Sequence, residues 1–236
     1  QYEAEEKITV NGNVDLYAVV FNRTTETDLT EDQLPQVDIY KYKQVIFVGD
    51  SRTEFMENVL TGMGESATKN VKFVCSAGKG LDWFTTTGWA QLYSIVQHDS
   101  NSILSKKTAV IFNFGVNDLS KSADYAEYYN WIAPQLKSKG CELYFMSVNP
   151  VNRLMLPNAG RADRSEAAVR SFNQYMKANL SSAYTYIDMY SYLKSTGYSF
   201  ASDHYGTGTV DDGLHYTTRT YKRIFAKCMD SLRVPA

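Results

Sequence analysis

The stretch Gln44-Val45-Ile46-Phe47-Val48-Gly49-Asp50-Ser51-Arg52 decides how this chain folds. Residues 45–48 form an unbroken apolar run, β-branched and aromatic, and Gly49 and Asp50 end it. A short run of that kind suits a strand covered on both faces, as in a parallel sheet. Ser51 stands where strand gives way to loop, and residues 53–60 carry a helix pattern. In an open α/β sheet the carboxyl ends of the strands face the ligand crevice, so this strand delivers a serine hydroxyl to that edge. Serine is equally a favoured helix N-cap, and the junction by itself favours that plainer use.

Outward from this stretch, strands and helices alternate. Residues 71–76, 108–114, 141–148 and 184–189 read as strands, giving five with 45–48. Residues 88–97, 123–137, 165–180 and 217–232 read as helices, with Ser165 as an N-cap. Strands separated by helix-length segments imply βαβ units, a parallel sheet, and helices on both of its faces. Residues 44–236 make up this domain. Residues 1–43 differ: they begin acidic, hold two short strand-like runs at 7–10 and 14–21 around Asn11-Gly12-Asn13, and continue as a polar stretch. They read as an extension or linker, with a hairpin-type turn near its start.

Composition narrows the class. Of 236 residues, 44% are hydrophobic and 21% charged, and the formal net charge is −2, as in an ordinary globular protein large enough for a sizeable core. No basic excess argues for nucleic acid, and no apolar run is long enough for a membrane span. No obligatory protein partner is evident. The 18 tyrosines suit polar or sugar-like ligands, although half-buried faces account for most of them. Cys75, Cys141 and Cys228 make an odd count with no complete disulfide framework, and Cys75 and Cys141 read as small core residues. No Cys/His cluster has zinc spacing, so no metal is expected. The chain starts with Gln1, which fits a leader removed or left out; an extracellular or envelope location is the expectation.

A serine that cleaves esters needs an imidazole to take its proton, a carboxylate to orient that imidazole, and donors for the developing oxyanion. Three histidines are available. His98 ends a helix beside Asp99 and reads as a surface residue. His204 lies in the loop Asp203-His204-Tyr205-Gly206, where the adjacent carboxylate cannot easily turn back onto the ring. His215 follows Asp212 by three residues with Gly213 between, a spacing that lets one turn bring the carboxylate against Nδ1 and leaves Nε2 for Ser51. The same pair reads equally well as a cap and first turn of the closing helix. Two loops beyond other strands tip the balance: Gly78 and Gly80 in Ala77-Gly78-Lys79-Gly80 allow a close backbone approach, and Asn117 after Gly115 offers a side-chain amide.

Together, Gly49-Asp50-Ser51, Ala77-Gly78-Lys79-Gly80, Gly115-Val116-Asn117-Asp118 and Asp212-Gly213-Leu214-His215 resemble the four blocks of the SGNH hydrolases, also called GDSL esterases. The resemblance spans roughly residues 42–232. It implies a flavodoxin-like three-layer α/β/α sandwich and hydrolysis of an ester or related acyl bond without a cofactor. It also implies Ser51 as nucleophile, His215 as base and then acid, and Asp212 as its orienter. The oxyanion donors would be the Ser51 amide, a glycine-loop amide and the Asn117 side chain. Gly80 fits the family spacing better than Gly78, and Asp212 better than its neighbour Asp211. Arg52 replaces the family's leucine; it would either bind an anionic substrate group or make a salt bridge on the helix face. The α/β-hydrolase elbow is excluded, because Thr53 stands where Gly-x-Ser-x-Gly needs its last glycine.

Trp83, Asn149, Arg153 and His204 follow strands or lie in loops that would face a substrate. With no apolar lid evident, they suit a small acyl group such as acetyl on a carbohydrate or cell-wall polymer. A short-chain lipid esterase or thioesterase is the alternative within the enzyme class, and a catalytically silent carbohydrate-binding module is the alternative outside it. No nucleotide-binding glycine fingerprint follows the first strand.

Overall fold

The computed structural model describes residues 28–37, 41–99, 107–157, 159–201 and 211–232. Five parallel strands form one sheet: β1 (Tyr42–Gly49), β2 (Val71–Cys75), β3 (Lys107–Asn113), β4 (Cys141–Met146) and β5 (Tyr184–Ile187), in the order β2-β1-β3-β4-β5. The chain therefore reverses its direction of winding between β1 and β3, and the crevice at their carboxyl ends is the natural ligand site of such a sheet. Gly49 is in register with Cys75 of β2 and with Asn113 of β3, so three loops open at one level.

The alternation of side chains along β1 builds a core on each face. Val45 and Phe47 join Ala109 and Ile111 under α1 (Ser51–Met63), α6 (Met189–Thr196) and α7 (Thr218–Ser231). Ile46 and Val48 join Val110 and Phe112 under α3 (Trp89–Asp99), α4 (Ser122–Ser138) and α5 (Glu166–Asn179). Residues 45–48 are all fully buried, which is why the run has no polar face. This is the expected α/β/α sandwich.

Several boundaries differ from the sequence reading. Helical structure starts at Leu81, in the short α2 (Leu81–Trp83) and a π-helical segment (Phe84–Gly88), ahead of the expected residue 88. Tertiary contacts override the poor helix propensity of Thr85, Thr86 and Thr87 here: Phe84 is fully buried against Phe112 and Phe114. Residues 189–196 form α6, capped by Asp188, where strand was expected to run to Met189. Ser165 does cap α5, accepting from the Ala168 amide at 3.0 Å.

Part of the supposed linker packs on the domain. Leu34 and Val37 are buried in the core beside α1 and α7, and Lys222 pairs with Asp28. The hairpin expected within residues 7–21 lies outside the described residues. Cys141 and Cys228 are buried, whereas Cys75 is half-buried beside Glu57; none is in a disulfide.

Candidate active site

Ser51 is the first residue of α1, but it is not the cap. Asp50 is: its carboxylate accepts from the Arg52 amide at 3.0 Å. The serine hydroxyl is thus left for other work, and its amide belongs to the first helical turn, where N–H groups have no intrahelical acceptor. Burial pushes the Asp50 carboxyl up to about 6, against the pull of nearby Arg52.

His215 reaches this serine from the other end of the chain. Its Nε2 lies 2.9 Å from Ser51 Oγ, across a sequence separation of 164 residues. Its Nδ1 lies 2.6 Å from Asp212 Oδ2. The other carboxylate oxygen accepts from the Leu214 and His215 amides at 2.9 and 2.8 Å. A carboxylate can only accept, so Nδ1 carries the proton and Nε2 accepts from the serine hydroxyl. Gly213 makes the turn possible at φ +73°, and a side chain there would strike the Asn152 carbonyl. Asp212 is not a helix cap. Thr217 caps α7 instead, which separates the two uses that the sequence leaves equal.

Burial sets the electrostatics. It holds the His215 imidazole below its ordinary pKa, against the Asp212 carboxylate that favours the charged ring. Burial is the largest influence on Asp212 and acts to raise it, but the hydrogen bonds from His215 and the Leu214 amide, together with the attraction of the ring, leave it below the usual carboxylate value. Asp211 points elsewhere, accepting from Asn152 Nδ2 and the Gly213 amide.

A cavity of about 400 Å³ opens over Ser51 and His215. Gly78, at φ +69°, and Asn117 line it, whereas Gly80 does not. Gly80 precedes α2, and a Cβ there would meet the Asp118 carboxylate at 2.3 Å. The Asn117 amide is oriented by two partners: Nδ2 donates to the Lys79 carbonyl at 2.8 Å, and Oδ1 accepts from Arg164 Nη2 at 3.0 Å. That assignment leaves a second N–H on Nδ2 as a donor.

Arg52, Trp83, Asn149 and Arg153 are not among the residues that line the cavity. Arg52 meets neither a substrate anion nor a surface carboxylate. It is buried, and its guanidinium donates to the carbonyls of Leu214, Asn149 and Pro150 at 3.0, 2.9 and 2.9 Å. It ties the His215 loop to the loop after β4. Asn149 is 1% exposed, and Trp83 packs toward Phe114. Arg153 forms an exposed pair with Asp163. His204 lies outside the described residues.

Phe55, Arg161 and Arg164 are among the lining residues that escaped the sequence reading. Phe55 stacks on the His215 ring with centroids 4.2 Å apart. It follows Ser51 by one helical turn, a spacing that places both on one face of α1 and was available as a signal. Arg161 and Arg164 come from the long loop between β4 and α5, where no periodicity marks them. Arg161 Nη2 donates to Asp212 Oδ2 at 3.1 Å.

A hydroxyl, an imidazole and a carboxylate in line, beside amide donors at a helix start, can carry out acyl transfer. The chain belongs to the GDSL-like lipase/acylhydrolase family, whose model matches residues 45–228, and so to a family of enzymes acting on ester bonds. Among solved structures it resembles a protein of Slackia heliotrinireducens assigned as an SGNH hydrolase, with 12% identity, TM-score 0.56, and 82% of this chain and 100% of that chain covered. A Bacteroides fragilis protein assigned as an acylhydrolase shares 16% identity at TM-score 0.52, covering 85% and 92%. The acetyl xylan esterase AlAXEase shares 11% identity at TM-score 0.51, covering 80% and 100%. No curated protein matches the chain.

Proposed function

We propose that this chain hydrolyses a carboxylic ester through Ser51, His215 and Asp212. The continuous Ser51–His215–Asp212 hydrogen-bond chain on the wall of an open cavity carries this reading. Ser51 Oγ attacks the ester carbonyl as His215 Nε2 takes its proton. The tetrahedral oxyanion is held by the Ser51 amide, the Asn117 side chain and a glycine-loop amide. Gly78 is the favoured glycine because it lines the cavity, with Gly80 as the alternate. His215 then protonates the leaving alcohol. Water, deprotonated by the same nitrogen, attacks the acyl-enzyme, releases the acid and restores Ser51. Asp212 stabilises the imidazolium and holds the ring in the productive tautomer.

The acyl group is small, such as acetyl, and the alcohol is a carbohydrate or cell-wall polymer. A cavity of about 400 Å³ with polar groups on its walls favours a short acyl chain over a long one. The acetyl xylan esterase among the structural relatives has a fold of the same kind.

The test is hydrolysis of p-nitrophenyl esters of graded chain length, with wild type beside Ser51→Ala. Acetate is hydrolysed fastest, and the variant keeps its thermal unfolding profile while losing turnover. Wild-type turnover in Ser51→Ala removes the serine from the mechanism. A preference for octanoate over acetate removes the small-acyl assignment alone.

A further inference from the structure

The cavity over Ser51 carries charge of one sign. Among the described residues, its charged lining side chains are Arg161 and Arg164, and no carboxylate lines it. The two arginines differ in what their donors do. Arg164 is committed to the protein: its Nε, Nη1 and Nη2 donate to the Val116 carbonyl, the Ala162 carbonyl and Asn117 Oδ1. The Arg161 guanidinium has a single partner among the described residues, Asp212 Oδ2, and the side chain is 38% exposed. A guanidinium has several further N–H donors in a planar fork that matches an oxyanion group, so most of its hydrogen-bonding capacity is open to the cavity.

Position assigns this capacity to one part of the substrate. Arg161 binds the same carboxylate oxygen that holds His215 Nδ1, so it lies on the imidazole side of the cavity. Gly78 and Asn117 serve the acyl oxygen. The leaving alcohol must depart toward the imidazole, because His215 protonates it. We propose that the alcohol portion of the natural ester carries an anionic group, a carboxylate or a phosphate, and that Arg161 receives it. The proposal rests on the ester-hydrolase reading and narrows its substrate from any acylated alcohol to an acidic one. Arg161 then has two contacts: through Asp212 it braces the imidazole, and through its remaining donors it selects the substrate.

The probes are three acetyl esters: 4-acetoxybutanoate, 3-acetoxypropyl phosphate and the neutral 4-acetoxybutanamide. Their charges are remote enough that the esters differ little in intrinsic reactivity, and each rate is normalised to that ester's alkaline hydrolysis. Wild type is expected to favour at least one anionic ester by about tenfold or more in kcat/KM, the worth of a charge-assisted hydrogen bond. The preferred arm identifies carboxylate or phosphate. In Arg161→Met the preference collapses toward unity, and Arg161→Lys keeps part of it. Ser51-dependent turnover of the neutral ester as fast as both anionic ones overturns the proposal and leaves the hydrolase reading intact. Equal losses on all three esters in Arg161→Met also overturn it, because Arg161 then acts only through Asp212. No turnover of any ester, by wild type or Ser51→Ala, fails the hydrolase reading itself. If Arg161→Met does not fold, inhibition of wild type decides: butanoate competes against the acetyl ester and butanamide does not, and equal inhibition by the two overturns the proposal.

Discussion

Phe55 lies flat against the His215 imidazole, ring centroids 4.2 Å apart and planes 26° from parallel. One helical turn of α1 thus provides both the hydroxyl that meets the imidazole and the wall that keeps the ring upright. Phe55 is 3% exposed, so the ring also loses water on that face. Phe55→Leu keeps an apolar side chain but gives up the flat surface. The expected outcome is a fall in kcat of roughly tenfold with KM little changed, as for a mispositioned catalytic group. Steady-state kinetics on p-nitrophenyl acetate read it, and an unchanged kcat would make Phe55 a core residue only.

The adjacent acids Asp211 and Asp212 offer an internal control. Asp212 holds the imidazole, while Asp211 accepts from Asn152 and Gly213. Asp212→Asn is expected to lower kcat by about a thousandfold or more, because the amide favours the wrong tautomer. Asp211→Asn is expected to stay within about tenfold, a modest loss for a turn contact. Comparable kcat values for the two variants would mean that the carboxylate next to the ring is not the orienter.

The pH profile follows from the direction of the His215 shift. The proposed mechanism needs the neutral imidazole, and burial holds its pKa below the ordinary 6.5. Activity therefore persists below pH 6.5 and declines only as the pH falls through the depressed value. A kcat/KM profile with its acidic midpoint above 6.5 would contradict this.

Asp50 has the opposite sign. Its pKa rises from 3.8 unfolded to about 6 in the fold, so the native state holds the proton more tightly. The stability this confers is full below pH 3.8 and is lost as the pH rises through 6. The shift corresponds to about 3 kcal/mol. Asp50→Asn keeps an acceptor for the Arg52 amide without the titration. Relative to wild type, its stability is expected to rise between pH 4 and pH 7 in urea unfolding, where a constant difference would rule the shift out.

Arg52 is the strongest candidate for a purely structural defect. Arg52→Leu leaves the carbonyls of Leu214, Asn149 and Pro150 buried without donors. A loss of about 3 kcal/mol or more is expected. Arg52→Lys should not restore it, because one ammonium cannot span the same fork. Chemical denaturation measures both, and a cost below about 1 kcal/mol for the leucine variant would refute the role.

The order of elements was legible because the strands are mostly apolar segments bounded by glycine or polar residues. Residues 45–48 are the clearest instance, since burial on both faces leaves no alternation to misread. Ser51, Asp212 and His215 could be singled out because chemistry constrains their types and local turns constrain their spacing. Arg52 was misread because arginine is usually exposed, and its partners are 97, 98 and 162 residues away. Arg161 and Arg164 were invisible because an irregular loop has no period to betray which side chains turn inward. Spacing in the glycine loop favours Gly80, whereas the lining of the cavity, which includes Gly78, is visible only once the chain is folded.

The shared level of Gly49, Cys75 and Asn113 makes the sheet a gauge as well as a scaffold. Ser51, Gly78 and Asn117 each stand a few positions past that line. Strand side chains repeat every second residue, so a two-residue slip of β3 would return every apolar group to its own face. The slipped core would bury nearly the same surface, yet Asn117 would be carried about 7 Å along the strand axis. Two-residue insertions or deletions within residues 42–49 or 107–113 should therefore yield proteins that melt normally and catalyse nothing, and the short segments running from that level to Ser51, Gly78 and Asn117 must keep their lengths for the same reason.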